Sequence, residues 1–108
     1  MATIKITDEN FEEQVLKSGK NWIIQFSAIW CGPCRMMTPI MEDLSNSMGD
    51  KISFGKADID EEAINIASRH GIRGLPSFLF FSSGKLKSTK VGAIEISKMQ
   101  EWLKEQSR

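Results

Sequence analysis

The chain has 108 residues, 41% apolar and 26% charged, with 14 Lys and Arg balancing 14 Asp and Glu. That length suits one domain, 1–108, with a core of its own, and a net charge of zero argues against a nucleic-acid or phosphate-binding surface. No apolar run approaches the ~20 residues of a membrane span, and the first residues lack an apolar signal core, so the expected location is the cytoplasm.

Thr3–Ile6 reads as a short strand. Thr7 and Asp8 are placed to cap a helix that carries Phe11, Val15 and Leu16 on one side and stops at Gly19. Trp22–Ala28 is a nearly continuous apolar strand, the pattern of a strand buried on both faces. A helix from Cys34 to Met48 places Met37, Ile40, Met41, Leu44 and Met48 at helical spacing, with Pro39 bending it and Gly49 ending it. Lys51–Ala57 reads as a strand. Asp60–Arg69 reads as a helix with Ile64 and Ala67 inward and Gly71 as its stop. Ser77–Phe81 is a strongly apolar strand, Ser82-Ser83-Gly84 a turn, and Lys85–Val91 a returning edge strand protected by Lys85 and Lys87. A last helix from about Ile96 turns Met99, Trp102 and Leu103 inward. The order β-α-β-α-β-α-β-β-α predicts an α/β fold, a mixed sheet covered by helices on both faces.

The two cysteines fall between a buried strand and a helix, in Trp30-Cys31-Gly32-Pro33-Cys34. Two cysteines cannot build a disulfide framework, so the pair points to metal binding or thiol chemistry. A helix N-terminus stabilises a thiolate and holds the Cys31 thiol below its free value of about 8.5. Cys34, one turn on, is close enough to bridge to it. Pro33 stiffens the connection and Gly32 leaves the Cys31 sulfur unscreened. That arrangement suits thiol–disulfide exchange. Structural zinc needs four ligands, and His70 is the single histidine. Copper(I) held with Met36, Met37 or Met41 is the competing metal reading, and core filler is the plainer account of those methionines.

These residues resemble the thioredoxin family over the whole chain. Trp30 to Cys34 matches the family's active-site motif, Pro39 its helix-bending proline, Gly71-Ile72-Arg73-Gly74-Leu75-Pro76 the segment ending in its cis-proline, and Lys90-Val91-Gly92-Ala93 its glycine loop. The resemblance implies a central five-stranded mixed sheet flanked by four helices. It implies Cys31 as nucleophile and Cys34 as resolving cysteine in the reduction of protein disulfides. Pro76 is then cis beside the dithiol. Trp30, Gly32, Pro33, Ile59, Leu75, Gly92 and Ala93 form an apolar contact patch, with the Leu75 backbone pairing to an extended substrate segment. No bound cofactor is implied: electrons come from NADPH through thioredoxin reductase. The implied acceptors are ribonucleotide reductase, peroxiredoxin and methionine sulfoxide reductase, and nothing requires more than a monomer.

Several positions depart from the pattern. Gln25 stands where most of the family carries a buried aspartate thought to move the proton of the second cysteine, and an amide cannot take up a proton. Lys56, the usual neighbour of that aspartate, then reaches solvent, finds another acid or sheds its proton. Ser27 replaces a bulky aromatic, Ile29 a commonly charged residue, and Ser77 a common threonine. Gln25 keeps open a specialised protein with another electron donor or a scaffold role. An oxidase or isomerase of secreted proteins is disfavoured by Gly32-Pro33 and by the expected location.

Overall fold

Alternation along the strands gives each face of one sheet its own core. The computed structural model, which describes residues 3–108, contains β1 (Ile4–Lys5), β2 (Asn21–Ser27), β3 (Ser53–Asp58), β4 (Ser77–Ser82) and β5 (Lys85–Val91). A short π-helical segment (Glu12–Leu16) and the helices α1 (Gly32–Met48), α2 (Ile64–Arg69) and α3 (Ile96–Gln106) complete it. The strands form one mixed sheet in the order β1-β3-β2-β4-β5. β1 and β2 run parallel to β3, while β4 runs antiparallel to β2 and to β5. Gln25 in the middle strand lies opposite Lys56 on one side and Phe78 on the other.

Trp22, Ile24 and Phe26 of β2 and Leu79 and Phe81 of β4 pack with Phe11, Val15 and Ile66 beneath the π-helical segment and α2. The alternate residues, Ile23, Phe78 and Phe80, meet Met37, Met41 and Leu44 of α1 and Met99 and Leu103 of α3. Each such side chain contributes roughly 1.5–3 kcal/mol on burial. Met37 and Met41 are thus core filler, while Met36 is exposed. Trp102 is only half-buried, with Phe80 in T-shaped contact with it and the Lys90 ammonium over its ring. β5 forms an outer edge, with Lys85 and Lys87 exposed as expected.

Several boundaries differ from the expectation. The first helix is a five-residue π-type turn, because the Lys17 N–H reaches back to the Glu12 carbonyl, five residues away. Thr7 and Asn10 cap its approach reciprocally, each side chain accepting from the other's main-chain N–H. Asp8 does not cap it. Its carboxylate instead accepts from the Asn65 and Ile66 N–H groups at the start of α2. α2 begins at Ile64 and not at Asp60, because the Asp58 carbonyl takes the Glu61 and Ala63 N–H groups into a turn. That later start changes the phase: Ala63, Ile66 and Ala67 are buried and Ile64 is 52% exposed. β1, β2 and β3 also shift or shorten by one or two residues relative to Thr3–Ile6, Trp22–Ala28 and Lys51–Ala57. Between β4 and β5, Ser83 and Gly84 both have positive φ, +50° and +83°. A Cβ on Gly84 would stand 2.5 Å from the Leu16 carbonyl oxygen, so the turn needs glycine for space as well as for backbone.

Candidate active site

The middle strand delivers the chain to the cysteines. After β2 the backbone turns, with the Cys31 N–H donating to the Ala28 carbonyl, and α1 begins at Gly32. Cys31 is therefore the N-cap, two residues earlier than a helix starting at Cys34 would place it. Its sulfur accepts the Cys34 N–H at 3.2 Å, a role that a polar side chain usually fills at a helix start. Pro33 occupies the first turn, where no N–H is missed. Cys31 and Cys34 are bridged as a disulfide with Cα atoms 5.3 Å apart. Cys31 is 5% and Cys34 2% exposed.

The surroundings come from three further segments. Ile59, following β3, and Leu75 pack against Ala28 and the two cysteines. Trp30, Cys31, Gly32, Pro33, Ile59 and Leu75 line one open cleft together with Ile72 and Arg73. Trp30 is 65% exposed, and its indole N–H donates to the Asp60 carboxylate. The Leu75–Pro76 bond is cis. The Pro76 carbonyl accepts the Gly92 N–H at 2.8 Å, which ties the glycine loop to the proline segment. Gly92 has φ +98°, a left-handed backbone that favours glycine. Ala93 lines a neighbouring apolar groove with Met36, Met37 and Ile40. The patch residues expected from the sequence are therefore brought to one end of the sheet, with Gly92 and Ala93 on a separate loop from the Trp30 cleft.

Behind the disulfide, Gln25 is buried, and its Nε2 donates to the Cys34 carbonyl at 3.1 Å. The Thr38 hydroxyl donates to the same carbonyl at 3.1 Å. Lys56 is partly exposed and lines an open cleft with Ser27, Cys34, Thr38 and Asp58, so of the alternatives considered it reaches solvent. Ile29 is exposed, and its carbonyl accepts from the Arg35 guanidinium at 2.5 Å. Sequence reasoning missed Ile72, Arg73 and Asp60 at the front and Asp58 and Thr38 behind. The first two lie inside the segment ending at Pro76, and Asp58 and Asp60 flank Ile59, so proximity to recognised positions was the available signal.

A family model for thioredoxin matches residues 2–105. The chain belongs to the thioredoxin family. It is 43% identical over 98 residues to a thioredoxin of Rickettsia bellii, covering 91% of this chain and 92% of that protein. It is 40% identical over 105 residues to a thioredoxin of Acidithiobacillus ferridurans, covering 97% and 96%. A thioredoxin of Rhodospirillum rubrum is 39% identical over 99 residues, covering 92% and 94%. The mixed five-stranded sheet with four helical segments is the thioredoxin fold. With the bridged Cys31 and Cys34 at the family's spacing, the chain is a thiol–disulfide oxidoreductase, an enzyme whose redox group is its own disulfide. Membership implies disulfide-bearing substrates and a thioredoxin reductase in general terms. Thioredoxins need no bound cofactor, and among the described residues no group of three or more His, Cys, Asp or Glu is placed to hold a metal ion. No helix among them is long and apolar enough to cross a membrane.

Proposed function

We propose that this chain is a single-domain electron carrier that reduces protein disulfides in the cytoplasm, with Cys31 as nucleophile and Cys34 as resolving cysteine. The observation that carries this is the position of Cys31 as the N-cap of α1, its sulfur accepting the Cys34 N–H. After reduction, that N–H and the positive end of the helix favour the Cys31 thiolate. The thiolate attacks one sulfur of a substrate disulfide. A mixed disulfide forms and one substrate thiolate leaves. Cys34 loses its proton and attacks the Cys31 sulfur. The Cys31–Cys34 bond forms, the mixed disulfide breaks, and the second substrate thiol is released. Two electrons have passed to the substrate.

Trp30, Gly32, Pro33, Ile59, Leu75, Gly92 and Ala93 supply the contact surface in this reading. The Leu75 backbone pairs with the substrate segment, Pro76 sits against the disulfide, and Gln25 and Lys56 support Cys34. Exposure of Trp30 and the packing of Ile59 and Leu75 on the cysteines favour this assignment. The oxidised protein is recharged by NADPH-dependent thioredoxin reductase. Ribonucleotide reductase, peroxiredoxin and methionine sulfoxide reductase are the acceptors we assign, and the protein acts as a monomer.

The test is NADPH consumption with thioredoxin reductase and a disulfide-bonded protein substrate. Wild type turns over, and Cys31→Ser and Cys34→Ser each abolish turnover. A wild type without turnover, or a Cys31→Ser variant with full activity, would overturn the reading.

A further inference from the structure

Gln25 leaves the resolving step without a base on the strand beneath it, and a different carboxylate stands nearby. We propose that Asp58 receives the Cys34 proton through the cleft that both residues line. This rests on the disulfide-reductase reading and deepens it. The cleft holds about 200 Å³ and opens to solvent between the start of α1 and the ends of β2 and β3. At about 30 Å³ per molecule, that is room for several waters. The short side chain of Ser27 leaves the space open. The charged groups lining it are Arg35 from α1 and Lys56 and Asp58 from β3, while Ser27 of β2 carries none. Among the described residues, Asp58 is the one carboxylate lining it.

The geometry of Asp58 is settled by its own turn. One carboxylate oxygen accepts the Asp60 N–H at 2.9 Å, which fixes the side chain. The other carries no hydrogen bond from the described residues and is free for water. Gln25, in contrast, spends its amide N–H on the Cys34 carbonyl and has no basic atom to offer. In the resolving step the Cys34 proton passes by way of water to Asp58. The Cys34 thiolate attacks the Cys31 sulfur, the Cys31–substrate bond breaks, and its electron pair leaves with the substrate sulfur, which is protonated from solvent. Asp58 then returns its proton to solvent at the cleft mouth. Lys56 on the same strand supplies positive charge beside the nascent thiolate.

The experiment mixes the reduced protein rapidly with an aryl disulfide that releases a coloured thiolate at each step. The first release reports Cys31 attack and the second reports resolution by Cys34. Asp58→Asn keeps an oxygen for the Asp60 N–H and loses the base. Its second phase should slow by about a hundredfold near neutral pH. Its first phase should stay unchanged. The two proteins should converge at high pH, where Cys34 ionises unaided. Asp58→Glu, or added formate with Asp58→Asn, should restore the second phase. Equal second phases for wild type and Asp58→Asn across the pH range would overturn the proposal. So would a deficit that persists at high pH and resists formate, since that is the mark of a structural role. Failure of the underlying reading looks different: wild type would then release no second thiolate at any pH.

Discussion

The Gln25 side-chain amide donates to the main-chain carbonyl of Cys34, 3.1 Å away, which joins the middle strand to the first turn of the catalytic helix. An ionised aspartate at this position would be an acceptor facing an acceptor. Gln25→Asp is expected to lose that bond and to bury a carboxyl group, whose pKa burial raises. The folded state then holds its proton above the unfolded value of about 3.9. Stability therefore falls as pH rises from that value to the raised folded one and stays low above it. At neutral pH the loss should be about 1–3 kcal/mol. Once ionised, the new carboxylate is a base for Cys34, so disulfide reduction near neutral pH should quicken. Urea midpoints and a rate–pH curve check both halves, and an unchanged curve refutes the second.

Asp8 caps a helix far from it in sequence. Its two oxygens accept the Asn65 and Ile66 N–H groups at 3.1 and 2.9 Å. Asp8→Ala should destabilise the protein by about 1 kcal/mol, while Asp8→Asn should recover most of it. The denaturation midpoint reads this. Turnover per folded molecule should not change, because the capped helix lies outside the cysteine site.

Glu42 on α1 accepts both the main-chain N–H and the hydroxyl of Thr3, at 2.8 and 2.7 Å. These bonds, the main-chain one foremost, hold its carboxyl below the usual glutamate value. A depressed folded pKa contributes stability that is present above the unfolded value of about 4.3 and is lost as pH falls through the folded one. Glu42→Gln should remove this part of the acid sensitivity. Thermal midpoints measured from neutral to strongly acid pH should show wild type losing its advantage over the variant on the acid side.

Gly84→Ala is expected to strain the β4–β5 turn twice. An alanine at φ +83° costs about 1–2 kcal/mol, and its Cβ meets the Leu16 carbonyl at 2.5 Å. A lower thermal midpoint with an unaltered Cys31–Cys34 reduction potential would separate this turn from the redox site.

Local patterns in the sequence carried the sheet and the cysteines. The nearly continuous apolar run along Trp22–Phe26 announced a strand buried on both faces, Ser77–Phe81 read as a strongly apolar strand, and the structure divides the residues of both between two cores. Cys31 and Cys34 were legible because their chemistry depends on a spacing of three. What stayed hidden depends on partners distant in sequence. Asp8 reads as a local cap until α2 is folded against it. Ile64 reads as core until the Asp58 turn delays the helix and moves burial to Ile66. The bond from Trp30 to Asp60 and the shared cleft of Cys34 and Asp58 require β2 and β3 to be aligned in register.

The placement of β2 also bears on how the two sides of the proposed contact surface would fluctuate. β2 is bonded along both edges, so its amides are expected to exchange with solvent only through the larger openings of the sheet. Cys31 and Cys34 hang from the end of that strand. Gly92 and Ala93 follow β5, which is bonded along one edge alone and can fray locally. On the proposed contact surface, a substrate between these segments would meet one side anchored by the doubly bonded strand, which would keep the sulfurs aligned, and one side on the edge strand, which would accommodate differences in substrate shape.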